Sequence, residues 1–291
     1  MSIAIQVRRL LRRTAPHNDR TEMDQRLTSR EPKQAPKHPI RRYQRWLLAG
    51  SVAAALGLWT LVIRLGDLPA FILPSPGRVA ARGWQALIDG TLLYHAGITL
   101  LEVLLGLLAG SLVATVLGYA LARSRLVEQL VSPYLVASQA IPVVAVAPLL
   151  VIWFGPGMFS KVLVCALIVF FPILINTLVG LQAVPEKLHD LMRAMRATPW
   201  QTLRYLELPA ALPVILGGLR VGATMSVTGA VVGEFLGADR GLGFLINVGR
   251  GQYDTALVFV TIFALVVMAL SLYGLVILAE RRLLRWRQNE H

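Results

Sequence analysis

Long apolar segments alternate with short polar ones along most of this sequence. Six of the apolar segments approach or exceed the length of about 20 residues that an α-helix needs to cross a membrane. We therefore predict an all-α, polytopic membrane protein with six transmembrane helices. The predicted spans cover approximately residues 46–63, 98–121, 133–154, 162–181, 214–235 and 256–279, with a short helix at 242–248.

Composition agrees with this class of protein. Apolar residues make up 55% of the 291 residues and charged residues only 15%, with a mean hydropathy of +0.60. Soluble domains carry about 25% charged residues, so the shortfall indicates membrane spans. The single cysteine, Cys165, falls inside the fourth predicted span, which excludes a disulfide framework or a thiolate metal site.

Basic residues are concentrated at the two ends of the chain, which has a net charge of +13. We interpret residues 1–45 as a disordered basic arm, 46–280 as the transmembrane domain and 281–291 as a basic tail. Basic segments remain in the cytoplasm, so both termini are predicted to be cytoplasmic in a multi-pass protein of the cell membrane. For the arm, a positive-inside anchor with some attraction to anionic lipid headgroups is favoured over a specific nucleic-acid- or partner-binding role.

Small residues recur every four positions along the second span, at Gly106, Gly110, Ala114 and Gly118. This spacing places them on one helix face, where a neighbouring backbone can approach closely, so it predicts a packing surface. Prolines in the third span suggest a translocation pathway, because irregular backbone is tolerated in a membrane beside an aqueous cavity. A packing kink is the alternative for these prolines. We assign to the pathway Pro142, Pro148, Gly222, Gly229, Gly233 and Glu234.

Two acidic residues fall inside predicted spans. Glu102 lies early in the second span and Glu234 near the outer end of the fifth. Intramembrane acids are candidates for functional sites. Both are predicted to lie near a membrane interface, where snorkelling or capping of a loop helix also accounts for them.

A polar loop at residues 182–213 separates the fourth and fifth spans. Its first helical pattern covers 185–197, and Thr198 begins a second helix in which Gln201 has capping-box spacing. Pro209 is expected to end that helix near Leu208. Exposed methionine, tryptophan and arginine favour a surface on which a partner docks. An amphipathic connector resting on the membrane remains the alternative.

The loop resembles the cytoplasmic loop of ABC-importer permeases, whose pattern is E-A-A, three residues, glycine, nine residues, then a hydrophobic-x-Leu-Pro ending. Leu206, Leu208 and Pro209 match the ending, and Trp200 stands where one branch of the family often has tryptophan. Residues 190–192 depart from E-A-A, and Arg196 replaces the glycine. The resemblance implies that the loop contacts the ATPase through Asp190, Met192, Arg193, Met195, Arg196, Ala197, Thr198, Trp200, Leu208 and Pro209.

Three further segments, FILPSPGRV, SQAIPVVAVAPLLVIWFGPG and GAVVGEFLGADRGLGFLI, resemble the permeases for nitrate, sulfonate, taurine, bicarbonate and thiamine pyrimidines. This resemblance implies the type I importer fold and a permease dimer, which we expect to be a homodimer. It also implies cytoplasmic ABC ATPase subunits and an extracytoplasmic substrate-binding protein. The chain itself would not be an enzyme, since ATP is hydrolysed in another subunit, and it would hold no cofactor.

The substrate is the least determined feature. The sequence DLMRAMRATPW is most similar to permeases near thiamine-pyrimidine and riboflavin-type uptake, whereas sulfonate, taurine and nitrate remain alternatives. An ion-driven secondary carrier would need matching halves and ionisable residues near the bilayer midplane, and neither is evident. A membrane-embedded enzyme would need a catalytic cluster. The sequence has no phosphate-binding loop, and its histidines lack metal-ligand spacing.

Overall fold

The computed structural model describes residues 40–284, which are helical apart from short connections. Eleven α-helices and one π-helical segment occur within them. They are α1 Ile40–Gly66, α2 Pro76–Ile88, α3 Thr91–Ala122, α4 Arg125–Gln139, α5 Val143–Phe154, α6 Met158–Gln182, α7 Glu186–Ala194, α8 Pro199–Thr202, the π segment Leu203–Glu207, α9 Leu208–Phe235, α10 Leu242–Gly251 and α11 Thr255–Leu283. Most of the predicted basic arm and residues 285–291 of the predicted tail lie outside the described residues.

The chain divides into two compact units, of which the first ends at Leu58 and the second begins at Trp59. In the first unit the described residues are the part of α1 up to Leu58. In the second, the Trp59 ring lies against Phe259 and Phe263, with ring centroids 5.2 and 6.4 Å apart. These rings join the end of α1 to α11.

The described helices confirm a polytopic all-α membrane protein. Four of them are long and apolar enough to cross a membrane, or five if the bent pair α4 and α5 counts as one span. The remaining predicted span, 46–63, is helical within α1, where the shorter segment Gly50–Gly66 is apolar. Each of the six predicted spans is therefore helical, although only four or five helices meet the length and hydropathy required for crossing.

Helix α6 packs between α3 and α9 along most of its length. On the α3 side, the predicted stripe of small residues allows the backbones of α3 and α6 to approach closely. A Cβ at Gly110 would lie only 2.6 Å from the carbonyl oxygen of Ala166. On the α9 side, a Cβ at Gly229 would lie 2.8 Å from the Cα of Cys165. Such close backbone approach is the usual way in which membrane helices gain packing contacts.

The third predicted span differs from a single kinked helix. It consists of α4 and α5, whose axes are bent by 89° at the break before Pro142. Pro142 has no backbone N–H to donate and disfavours helical geometry in the preceding residue, so α4 ends at Gln139 and a new helix begins after the proline. Pro148, by contrast, lies inside α5 without breaking it.

The prediction that Pro209 ends the second loop helix was wrong. The helix continues from Pro199 through the π segment into α9, and the Leu208 N–H bonds to the carbonyl of Leu203 in the five-residue spacing of a π turn. The wider turn includes one extra residue just before the proline, where a regular α turn would bring the proline ring against a carbonyl. The fifth span therefore begins inside the predicted loop.

Candidate functional site

The loop between α6 and α9 forms a compact joint of two short helices. Helix α7 ends at Ala194, and Thr198 then caps α8. The Thr198 side chain accepts a hydrogen bond from the Gln201 N–H at 3.3 Å, and the Gln201 side chain accepts one from the Thr198 N–H at 2.8 Å. The predicted capping box is thus present, and it fixes the direction in which α8 leaves the joint.

Large apolar side chains of this joint are exposed. Met195 is 69% exposed, Trp200 66% and Leu191 54%. Buried apolar groups stabilise a fold, whereas an exposed group of this size marks a surface for a partner or for lipid. We call residues 186–202 the knuckle. Of the ten predicted contact residues, seven are exposed and three half-buried; the half-buried ones are Met192, Ala197 and Pro209.

Arg196 adopts a left-handed backbone conformation, with φ +53°. It occupies the position at which the loop pattern of ABC-importer permeases has glycine, so the joint keeps a glycine-like backbone without the glycine. Its N–H bonds to the carbonyl of Arg193, and the next N–H, of Ala197, bonds to that of Met192. These bonds close the end of α7 in the manner of a helix C-cap.

Replacing Arg196 by glycine is expected to stabilise the knuckle rather than disrupt it. A left-handed conformation costs a non-glycine residue about 1–2 kcal/mol, which Arg196→Gly would remove. Hydrogen exchange at residues 193–199 should slow in the variant, and Arg196→Ala is the control that removes the side chain but keeps the strain. Faster exchange in Arg196→Gly than in Arg196→Ala would contradict this account of the joint.

The predicted pathway glycines all lie against α6. A Cβ at Gly222 would come within 3.0 Å of Ile173, and one at Gly233 within 3.2 Å of the Lys161 Cα. Helix packing therefore accounts for these glycines, as it does for Gly229. Pro142 is exposed and Pro148 half-buried.

Glu234 is fully buried and caps a helix. Its carboxylate accepts a hydrogen bond from the Thr99 hydroxyl at 2.6 Å and another from the Gly243 N–H, in the first turn of α10. The Leu242 N–H donates to the Thr99 hydroxyl at 2.7 Å, and the Gly241 N–H donates to the His95 Nδ1 at 2.9 Å. Side chains of α3 and α9 thus satisfy N–H groups that the first turn of a helix leaves without partners.

Glu102 and Lys161 form a buried ion pair between α3 and α6, with the Lys161 Nζ 3.3 Å from the Glu102 Oε1. Glu102 is fully buried and Lys161 only 4% exposed.

The two predictions for these acids have different outcomes. Snorkelling to an interface, considered for both acids, is wrong because both are buried, whereas capping of a loop helix is correct for Glu234. Lys161 stands just before the fourth predicted span, which begins at residue 162, but lies inside helix α6. An acid inside the second predicted span and a lysine directly before the fourth were the signal that could have suggested the pair.

Within residues 40–284, no group of three or more His, Cys, Asp or Glu side chains is suited to hold a metal ion. The described polar groups instead include the exposed knuckle, the buried cluster of Glu102, Lys161, Glu234 and Thr99, and the contacts of Glu207 with His189 and Arg123. The fold and these sites define a class: a polytopic helical membrane protein with an exposed two-helix loop between two of its spans.

Comparison with known proteins identifies the family. The model for binding-protein-dependent transport system inner membrane components matches residues 103–285. A riboflavin transport system permease protein of Chloroflexus aurantiacus is 52% identical over 234 residues, 80% of this chain and 87% of that protein. A formylaminopyrimidine transport permease protein of Halalkalibacterium halodurans is 36% identical over 233 residues, 80% and 92% of the two chains.

Solved structures show the same fold. A methionine ABC transporter in inward-facing conformations matches with a TM-score of 0.55 at 22% identity, over 66% of this chain and 93% of that chain. This chain belongs to the binding-protein-dependent inner membrane components and is a permease subunit of an ABC importer. The predicted branch is confirmed, since relatives also include a putative aliphatic sulfonates permease of Bacillus subtilis, 32% identical over 254 residues, 87% of this chain and 92% of that protein.

Proposed function

We propose that this permease imports riboflavin, delivered by an extracytoplasmic substrate-binding protein. The observation that carries the proposal is the 52% identity to a riboflavin transport system permease protein, against 36% for the formylaminopyrimidine permease and 32% for the aliphatic sulfonates permease. Formylaminopyrimidine, sulfonate, taurine and nitrate are the competing substrates.

The knuckle is the proposed docking surface for a cytoplasmic ATPase subunit. Its apolar residues Leu191, Met195 and Trp200 are exposed on two short helices whose direction the capping box fixes. Aromatic and methionine side chains flanked by arginines are typical of interface hot spots. The chain is proposed to act as a homodimer with two ATPase subunits, which supply the ATP hydrolysis.

Both termini are proposed to lie in the cytoplasm. Arg123, which directly follows α3, has its Nη2 3.7 Å from the Glu207 Oε2 at the start of the fifth span, so the end of α3 and the loop share one side of the membrane domain. Arg281 and Arg282 in the last turn of α11 give that helix a basic end as well. Basic residues favour the cytoplasmic side, which supports this orientation.

Replacing Ala197 by glutamate is expected to uncouple the transporter. Ala197 is half-buried in the joint of the knuckle, where a bulky acid would displace the docking residues. Uptake should fall by about 30-fold or more, the effect of losing roughly 2 kcal/mol at an interface hot spot. Ala197→Ser is the matched control and should retain uptake. Undiminished uptake in Ala197→Glu, at equal amounts of protein in the membrane, would refute the docking assignment.

The substrate is tested by uptake into vesicles that contain the complex purified from native membranes. Radiolabelled riboflavin should accumulate when ATP is present, and a tenfold excess of unlabelled taurine or formylaminopyrimidine should not compete. Accumulation of taurine or of formylaminopyrimidine, without riboflavin accumulation, would replace the proposed substrate and leave the class of transporter unchanged.

A further inference from the structure

The Glu207 carboxylate lies where three elements meet. Glu207 is the last residue of the π segment and is only 7% exposed. Its Oε1 lies 3.4 Å from the Nε2 of His189 in α7, and its Oε2 lies 3.7 Å from the Nη2 of Arg123, which follows α3. One side chain therefore contacts the knuckle and the end of α3 while it is covalently part of the helix that continues into α9.

Helix α7 is not held in place by apolar burial. None of its side chains is buried, and Leu188 and Leu191 are exposed. Apolar packing resists displacement because many contacts must be lost together, and α7 has little such resistance. When α7 is displaced, polar contacts such as that of His189 with Glu207 therefore transmit a larger share of its movement to the neighbouring helices.

Arg123 is fixed on the other side of the carboxylate. Its Nε donates to the Tyr119 hydroxyl at 2.9 Å, its Nη2 also donates to that hydroxyl, and the guanidinium lies 4.9 Å from the centre of the Tyr119 ring. The hydrogen bonds that Arg123 donates to the Tyr119 hydroxyl, with a smaller contribution from the charge of Glu207, hold the pKa of Arg123 above its usual value. An arginine restrained in this way moves with α3, which packs closely along α6.

Open space lies beside this contact. A polar cavity of about 430 Å³ is lined by Tyr119, Arg123, Glu128, His189, Arg193 and Glu207, among other residues. A close-packed joint would resist movement, whereas a cavity of this size lets α7 shift without steric overlap. The π turn that ends at Glu207 is a second departure from regular packing at this point, and π turns inside helices commonly mark functional sites.

We propose that Glu207 is a positioning residue that transmits displacement of the knuckle to α3 and α9, so that ATP hydrolysis is converted into movement of the spans. The proposal rests on the proposed docking of an ATPase subunit at the knuckle. Glu207 does not itself form the docking surface, because its side chain is buried behind α7. Its loss should therefore separate hydrolysis from transport without releasing the ATPase.

The test uses the intact complex reconstituted in vesicles and measures the number of substrate molecules imported per ATP hydrolysed. Glu207→Gln keeps the shape of the side chain and removes its charge. We expect the ratio to fall by about fivefold or more, the lower end of typical coupling effects, while ATPase retention is unchanged. His189→Gln, at a partly exposed position, should lower the ratio in the same direction but less.

A double-variant cycle distinguishes transmission of movement through the contact of His189 with Glu207 from a general loss of structure in the variants. If His189 and Glu207 act through one contact, the double variant His189→Gln/Glu207→Gln should be no worse than Glu207→Gln alone. Additive losses, or an unchanged ratio in both single variants, would overturn the proposal. Loss of the ATPase from Glu207→Gln would overturn it too, since the residue would then act in docking.

Failure of the docking assignment gives a different result. Ala197→Glu would then retain both the ATPase and uptake, whatever the behaviour of Glu207→Gln. The two claims are therefore tested by separate variants in the same assay.

Discussion

Replacing Lys161 by methionine is expected to lower the free energy of unfolding by about 3–5 kcal/mol, because removal of one partner leaves a buried charge without compensation. Lys161 lies 3.3 Å from Glu102 between α3 and α6, and Glu234 places a second carboxyl group in the same buried cluster. The measurement is unfolding of the purified chain in mixed detergent micelles. Little net stability is expected from the pair itself, because the cost of taking two charges out of water offsets their attraction.

The double variant Lys161→Met/Glu102→Met is the informative control. Replacing both partners of a buried ion pair with apolar residues of similar volume is often close to neutral, so most of the lost stability should return. Arg193→Met, which removes the exposed pair with Asp190, should change stability by no more than about 0.5 kcal/mol. A double variant as unstable as Lys161→Met alone would show that the two charges do not compensate each other.

Replacing Gly241 by alanine is expected to cost about 2–5 kcal/mol through two separate effects. Gly241 has φ +110°, a conformation that side-chain-bearing residues rarely adopt, and an added Cβ would overlap the Glu234 carboxylate. Either the carboxylate leaves the Gly243 N–H or the start of α10 shifts. Unfolding measurements should show the loss, and limited proteolysis should show faster cleavage between residues 236 and 254.

Gly155→Ala separates the two effects. Gly155 also has a positive φ, of +81°, but a Cβ there would meet no atom within 4 Å among the described residues. Backbone strain alone should therefore make Gly155→Ala less costly than Gly241→Ala. Equal stability of the two variants would contradict the proposed overlap with Glu234.

Local patterns predicted much of this molecule. Small residues four apart on α3 predicted a packing face, and Gly110 has the expected close approach to Ala166. Thr198 and Gln201 predicted a capping box that is present. These features depend on residues within one or two helical turns, so the sequence contains nearly all the information that determines them.

Features that depend on contacts between distant elements were harder to predict. The pairing of Glu102 with Lys161 requires the register of α3 against α6, which no local pattern specifies. The π turn before Pro209 reverses the usual effect of a proline because it supplies an extra residue in the turn. The contacts of Glu207 could not be predicted from the sequence either, because they depend on how α3, α7 and the π segment come together in the fold.

As the permease of an ATP-driven importer, this chain should transport its substrate only together with an ATPase subunit and ATP. The most direct test is riboflavin uptake by vesicles that contain the complex purified from native membranes, with ATP or a non-hydrolysable analogue on the ATPase side. An ATPase subunit should copurify, and riboflavin should accumulate only with ATP. Uptake by this chain alone, driven by an ion gradient and indifferent to ATP, would contradict this expectation and indicate a secondary carrier.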